Sequence, residues 1–211
     1  MKRREVIKGL AGLGAIALLP GNLASKNNSN TQLHFVGLGQ GGTNAMVHIH
    51  GKGIKAKYSC ITGPYVSHLK PEMEHLYFRN HPDYRINGIY YKKPLDLTPE
   101  MKAIFKENHQ YVILTGLGSS VGTGFIRSLL DFMNTERKNY TAICSLPPKC
   151  EGRSKREYAT QKKAEIEAFA NVIFFDNETI DNKYLPIIKR FEMGNELFYQ
   201  HFMKYNNSKL V

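Results

Sequence analysis

Two glycine-rich runs are the part of this sequence whose residue types and spacing could do chemistry. The first, Gly37-Leu38-Gly39-Gln40-Gly41-Gly42-Thr43-Asn44, follows the apolar Leu33-His34-Phe35-Val36. The second, Gly116-Leu117-Gly118-Ser119-Ser120-Val121-Gly122-Thr123-Gly124, follows Tyr111-Val112-Ile113-Leu114. Without a Cβ, glycine lets backbone N–H groups approach an anion closely and converge on it. A helix after such a loop adds its own unpaired amides and its dipole. Two loops of this kind suit a polyphosphate held from two sides. Gly37-x-Gly39-x-x-Gly42 also fits a dinucleotide fingerprint, but that chemistry calls for Asp or Glu closing the second strand. There the sequence reads Cys60-Ile61-Thr62-Gly63-Pro64, without a carboxylate, and no GxxxxGK[ST] occurs.

Such loops work at the carboxyl ends of parallel strands, so the strands must be found first. Leu33-Val36, Lys57-Ile61, Tyr111-Leu114, Thr141-Cys144 and Val172-Phe175 read as buried strands. Between them lie helical stretches: one opening at Thr98-Pro99-Glu100, where Thr98 caps and Pro99 suits the first helical position, one from about Gly122 to Met133, and one from Lys155 to Phe169. Strands separated by helices imply an α/β, three-layer fold, a mainly parallel sheet with helices on both faces. No metal site is expected. His48 and His50, two apart on a helix, point to different faces, and Cys60, Cys144 and Cys150 show no CxxC and no histidine at ligand spacing.

In that order the motifs resemble those of the tubulin/FtsZ family. The second run is similar to its glycine-rich signature, GxGGGTGTG in the bacterial form, and the first to its opening phosphate loop, GxGGGGxN. Pro147-Pro148-Lys149-Cys150-Glu151-Gly152 resembles its ribose loop, P-x-x-x-E-G. Asn177 in Asp176-Asn177-Glu178, and Asn195 in Phe191-Glu192-Met193-Gly194-Asn195-Glu196, stand where the family reads guanine. The resemblance covers most of residues 33 to 200. It implies a Rossmann-like nucleotide-binding domain for GTP or GDP, with or without Mg. Gly39, Gln40, Gly41, Gly42 and Asn44 would form the first phosphate loop. Gly118, Ser119, Ser120, Val121, Gly122, Thr123 and Gly124 would form the second. Glu151 and Lys155 would serve the ribose side, and Asn177 and Asn195 the base, to which an amide offers both donor and acceptor.

The departures set further expectations. Ser119 and Ser120 replace glycines and Val121 a threonine, adding Cβ atoms at the loop. Lys155 stands where the family usually has arginine, with Arg156 adjacent, and Gly63 where FtsZ has an aspartate. Lys70 to Lys93 matches no third phosphate loop. Only residues 196–211 follow Asn195, too few for the acidic loop and further domain of tubulin and FtsZ. The expectation is therefore nucleotide binding with little or no intrinsic hydrolysis, no catalytic residue in this chain, and no ordinary head-to-tail filament growth. Whether the chain is an enzyme stays open. Two other readings also stand: a nucleotide-free interaction module with a protein partner or self-association, and an NAD-type dinucleotide enzyme.

Residues 1–30 read as a separate tail, leaving 31–211 as the domain. Lys2, Arg3, Arg4 and Lys8, then an uncharged stretch from Gly9 to Leu19, then Pro20-Gly21, have the order of an export signal and resemble the twin-arginine type. That stretch is too short for a stable transmembrane span. The implied location is periplasmic or membrane-associated if the signal is used, and otherwise cytoplasmic. Lys2, Arg3, Arg4, Lys8 and Lys26 against Glu5 give the tail a net +4, leaving +7 of the total +11 on the rest. That remainder is scattered, without interleaved aromatic residues, so no nucleic-acid partner is expected.

Overall fold

The computed structural model describes residues 32–63, 69–78, 83–86, 89–92, 95–180 and 184–208. The export-like tail lies outside the described residues. Among the described residues, eight strands and five helices follow one another: β1 Leu33–Leu38, α1 Gly39–Gly51, β2 Lys57–Thr62, β3 Glu74–Tyr77, β4 Asp83–Ile86, β5 Ile89–Lys92, α2 Pro99–Ala103, β6 Gln110–Gly116, α3 Ser120–Thr135, β7 Tyr140–Leu146, α4 Arg153–Ile166, β8 Val172–Asp176 and α5 Ile187–Ser208. Short 3-10 turns occupy Lys149–Glu151 and Asn177–Ile180.

Six strands form one sheet in the order β3-β2-β1-β6-β7-β8, every pair parallel. β4 and β5 make a separate antiparallel pair. The chain builds outward from β1 to β2 and β3, then crosses to β6 on the other side of β1 and continues to β8. The order therefore reverses between β1 and β6, and a crevice opens there at the carboxyl ends of the strands.

The strands read as continuous apolar runs because both faces are covered. Phe35 packs on one face with Cys60, Val112, Leu114 and Ile143, under α1 (Ala45, Met46, Ile49) and α5 (Phe198, Phe202). Val36 and Leu38 turn to the other face with Ile61 and Ile113, under α3 (Phe125, Ile126, Leu129, Met133), α2 (Met101) and α4 (Ala159, Ile166). The result is a three-layer α/β fold. Each buried large side chain contributes about 1.5–3 kcal/mol of transfer free energy. Thr98 caps α2 as its type requires, its hydroxyl accepting from the Met101 amide at 3.3 Å.

All five expected strands are present, each one to three residues longer than its apolar run. β3 was missed, inside the stretch from Lys70 that matched nothing. It is an edge strand on which Glu74, His75 and Tyr77 are exposed, so it carries no apolar run to reveal it. α5 begins at Ile187, so the Phe191 to Glu196 segment that carries Asn195 lies inside it. No helix among the described residues is long and apolar enough to cross a membrane.

Candidate functional site

Both glycine runs lie at the β1/β6 crevice, but less as free loop than the sequence suggests. The helices begin inside them, so Gly41 to Asn44 sit in the first turns of α1 and Ser120 to Gly124 in those of α3. The turns are tight. Gly39 has φ +71° and Gly118 φ +87°, values that favour glycine.

Most of these glycines are demanded by packing. A Cβ on Gly42 would lie 1.9 Å from the Leu114 carbonyl oxygen, and one on Gly122 would meet Thr115 Oγ1 at 2.4 Å and the Leu38 carbonyl at 3.0 Å. A Cβ on Gly39 would meet the Gly122 amide nitrogen at 2.8 Å, so the two runs touch backbone to backbone. Gly41 differs. A Cβ there would meet only Gly116 among the described residues, at an ordinary 3.6 Å, and none of them requires glycine at this half-buried position. Gln40 Nε2 donates to Asn44 Oδ1 at 3.1 Å across the first turn of α1. Ser119 turns its hydroxyl back onto the Gly116 carbonyl at 3.1 Å, so its extra side chain braces the loop.

The turn after β7 closes against the second run. A Cβ on Gly118 would strike Lys155 and Pro147 at 2.8 and 3.2 Å, which brings the Pro147 to Gly152 segment beside the crevice. Lys155 Nζ donates to Glu151 Oε2 one helical turn away. The neighbouring Arg156 does something else. Its guanidinium grips Asp176 at the end of β8, with Nη1 to Oδ1 at 2.9 Å, and also donates to the Pro147 carbonyl. That grip holds the Asp176 carboxyl below its usual range. Lys149 adds its amide to Glu178 Oε2 at 2.7 Å, so the turns after β7 and β8 are stitched together.

Asn177 follows Asp176 directly. Its Oδ1 is buried without a hydrogen-bond partner among the described residues and lies 3.3 Å from where a Cβ on Gly194 would sit. Gly194 precedes Asn195, so the two asparagines come from different elements onto one corner. Glu196 then fixes α5 to α1, accepting from Lys52 Nζ and His48 Nε2, each at 2.8 Å. Burial works to raise the Glu196 pKa, but these two partners outweigh it and hold it low. His48 and His50 do face apart: His50 pairs with Glu72 at 3.2 Å.

Three of the five buried side-chain polar atoms without a partner among the described residues, those of Thr115, Thr123 and Asn177, are at this edge. A buried polar atom left unpaired costs about 1–3 kcal/mol. The sequence reading missed Thr115 and the clamp by Arg156. Thr115 sits within an ordinary strand run, and the clamp's partner is 20 residues away.

No family model matches the sequence, and no curated protein matches it. Its fold matches solved structures. FtsZ from M. jannaschii, described as an empty dimer, aligns with TM-score 0.61 at 18% identity over 81% of this chain and 52% of that one. CetZ2 from Haloferax volcanii, as a GTPgS-bound protofilament, gives 0.64 at 16% over 86% and 60%. TubZ of Clostridium botulinum phage c-st gives 0.56 at 11% over 83% and 60%. The chain spans between about half and three-fifths of each of these structures. At these identities the likeness is one of fold.

Proposed function

We propose that the chain binds a guanine nucleotide, GTP or GDP, in the β1/β6 crevice. The observation that carries this reading is Gly41, a glycine at the meeting of two helix N-termini that packing among the described residues does not require. Backbone amides of Gly39 to Gly42 and of Ser119 to Gly122 would take the phosphates from two sides. Glu151 and Lys155 would flank the ribose. Asn177 and Asn195 would read the base, the unpaired Oδ1 of Asn177 gaining a donor. The buried hydroxyls of Thr115 and Thr123, and the space at Gly41, fit such a ligand. The GTPgS-bound CetZ2 structure supports the same reading. A divalent ion such as Mg would neutralise the phosphates when bound.

Hydrolysis by this chain alone is expected to be slow. Glu151, Asp176 and Glu178, the carboxylates stitched into this edge, are engaged by Lys155, Arg156 and Lys149 and so are poorly placed to orient a water. The test is thermal melting with GTP, GDP and ATP. A ligand at 100 times its dissociation constant adds about 2.7 kcal/mol, so a clear rise with guanine nucleotides and a smaller one with ATP is expected. An unchanged melting temperature with GTP and GDP sinks the proposal.

The alternative is a nucleotide-free interaction module. It is favoured by Ile187, Ile188 and Phe191, which lie 53–67% exposed at the start of α5. Capture of a stable partner by protein carrying no nucleotide would point there.

A further inference from the structure

The amino edge of the sheet, opposite the glycine runs, buries a row of polar side chains that nucleotide binding does not use. His34 on β1 and Ser59 on β2 are fully buried, and His109, just before β6, is 7% exposed. Ser59 donates its hydroxyl to Glu74 Oε2 on β3 at 2.9 Å, leaving its oxygen to accept from His34 Nε2 at 2.8 Å. His109 Nε2 lies 2.7 Å from Glu107 Oε2, a carboxylate that can only accept. These partners put the proton of each neutral imidazole on Nε2 and leave each Nδ1 bare. The two Nδ1 atoms face each other at 3.3 Å in hydrogen-bonding alignment.

Four contacts thus link five groups, while Ser59 and the two neutral imidazoles supply three protons. The contact left over is two lone pairs in opposition. One added proton converts it into a hydrogen bond and completes the row, whose ends, Glu74 and Glu107, reach solvent.

We propose that Glu107, His109, His34, Ser59 and Glu74 form one proton-binding chain that takes up a single extra proton between the two imidazoles, clasping β1, β2 and β3 to the segment entering β6. The charges around it suit one proton. Glu74 and Glu107 bring two negative charges, and Lys57 on β2 answers them from 3.8 and 3.9 Å. Tyr111 on β6 packs its ring 5.2 and 5.8 Å from the imidazole centroids and donates its hydroxyl to the Glu107 carbonyl at 2.7 Å, so it does not compete. Burial, then Lys57 and His109, push His34 down to about 3. His34 is therefore the neutral acceptor of the pair. When it leaves, the facing lone pairs repel at the point where β1 and β6 begin to pair, beside the Gln110 amide's bond to the Gln32 carbonyl.

The test is a titration of the full chain, labelled with ¹⁵N at histidine, from about pH 5 to 9, a range that brackets the free imidazole value. The expected result is a bare Nδ1 on His34 throughout, a single midpoint reported by the signals of both rings, and hydrogen exchange at Gln110 and Tyr111 rising about tenfold above it. His109→Asn replaces the imidazole facing His34 with an amide that always donates, so the exchange should become flat with pH. Two independent midpoints, or an Nδ1 proton on His34 in the wild-type chain, would overturn the proposal. So would movement of these signals on adding one equivalent of zinc at constant pH, which would place a metal between the rings. The wild-type titration decides even if the variant fails to fold.

Discussion

The two edges of the sheet solve the problem of polar groups in opposite ways. The carboxyl edge works with main chain: glycine packs on glycine, helix amides point at the crevice, and the carboxylates are drawn into ion pairs. The amino edge works with side chains, five of them in a row that ends on each side in a solvent-reaching glutamate. Main-chain chemistry needs space and is destroyed by added atoms. Side-chain chemistry needs the right proton count and is destroyed by removing one partner. Substitutions can therefore test which edge carries a ligand and which carries a proton.

The largest effect is expected from Gly42→Ala. Its Cβ would sit 1.9 Å from the Leu114 carbonyl oxygen, so backbone must move, and a loss above about 4 kcal/mol by urea unfolding, or failure to fold, is expected. Full stability in that variant would mean that α1 is not packed on β6 as described.

Asp176→Asn removes the charge and one of the two acceptor oxygens of the Arg156 clamp and is expected to cost about 2 kcal/mol at neutral pH, a typical value for a hydrogen bond to a charged group. Because the folded carboxyl is held below its ordinary value, the wild-type contribution is complete above the unfolded value near 4 and is lost as pH falls through the folded one. Unfolding curves from about pH 6 downward should show a loss of stability below about pH 4 that is smaller in the variant.

Gly41→Ala sharpens the comparison most, because packing and ligand predict different things. Its Cβ has room, so stability should change by less than about 1 kcal/mol, while guanine-nucleotide affinity by calorimetry falls about tenfold or more. Unchanged affinity would assign the glycine run to packing alone. For Asn195→Ala the expected effect is smaller: the preference for GTP over ATP narrows by several-fold, on the order of 1 kcal/mol for one lost hydrogen bond, with phosphate affinity partly kept. Equal losses for both nucleotides would remove the role given to that side chain.

At the amino edge, His34 supplies the broadest signal. Its pKa, lowered to about 3 by burial, means that the unfolded chain takes up a proton that the folded one refuses. That contribution is complete above about pH 6.5 and is lost as pH falls from there toward the folded value. His34→Gln should flatten the upper part of the acid limb, above the range in which Asp176 acts.

This division explains what could be read from sequence. β1, β2, β6, β7 and β8 were legible because burial on both faces leaves uninterrupted apolar runs, and the crevice because glycine clusters follow two of them. What glycine does there was not legible. Gly42 and Gly122 look the same as Gly41 in the sequence, and only the approach of Leu114 and Thr115 separates packing from open space. Lys155 and Arg156 are likewise adjacent letters, yet one pairs with Glu151 and the other crosses to Asp176. The row at the amino edge left no local trace, since His34 and His109 are 75 positions apart, and β3, which contributes Glu74, is too exposed to announce itself.

The reversal of strand order between β1 and β6 also has a kinetic side. Leu33 pairs with Gln110, so 77 positions (110 against 33) must be closed into a loop before the central strands meet, and contacts so distant along the chain are slow to form. Both glycine runs hang on that closure, as does the contact between His34 and His109. During synthesis the crevice is expected to be absent until the ribosome has released β6 and the start of α3, so a ligand can capture the chain only after that point.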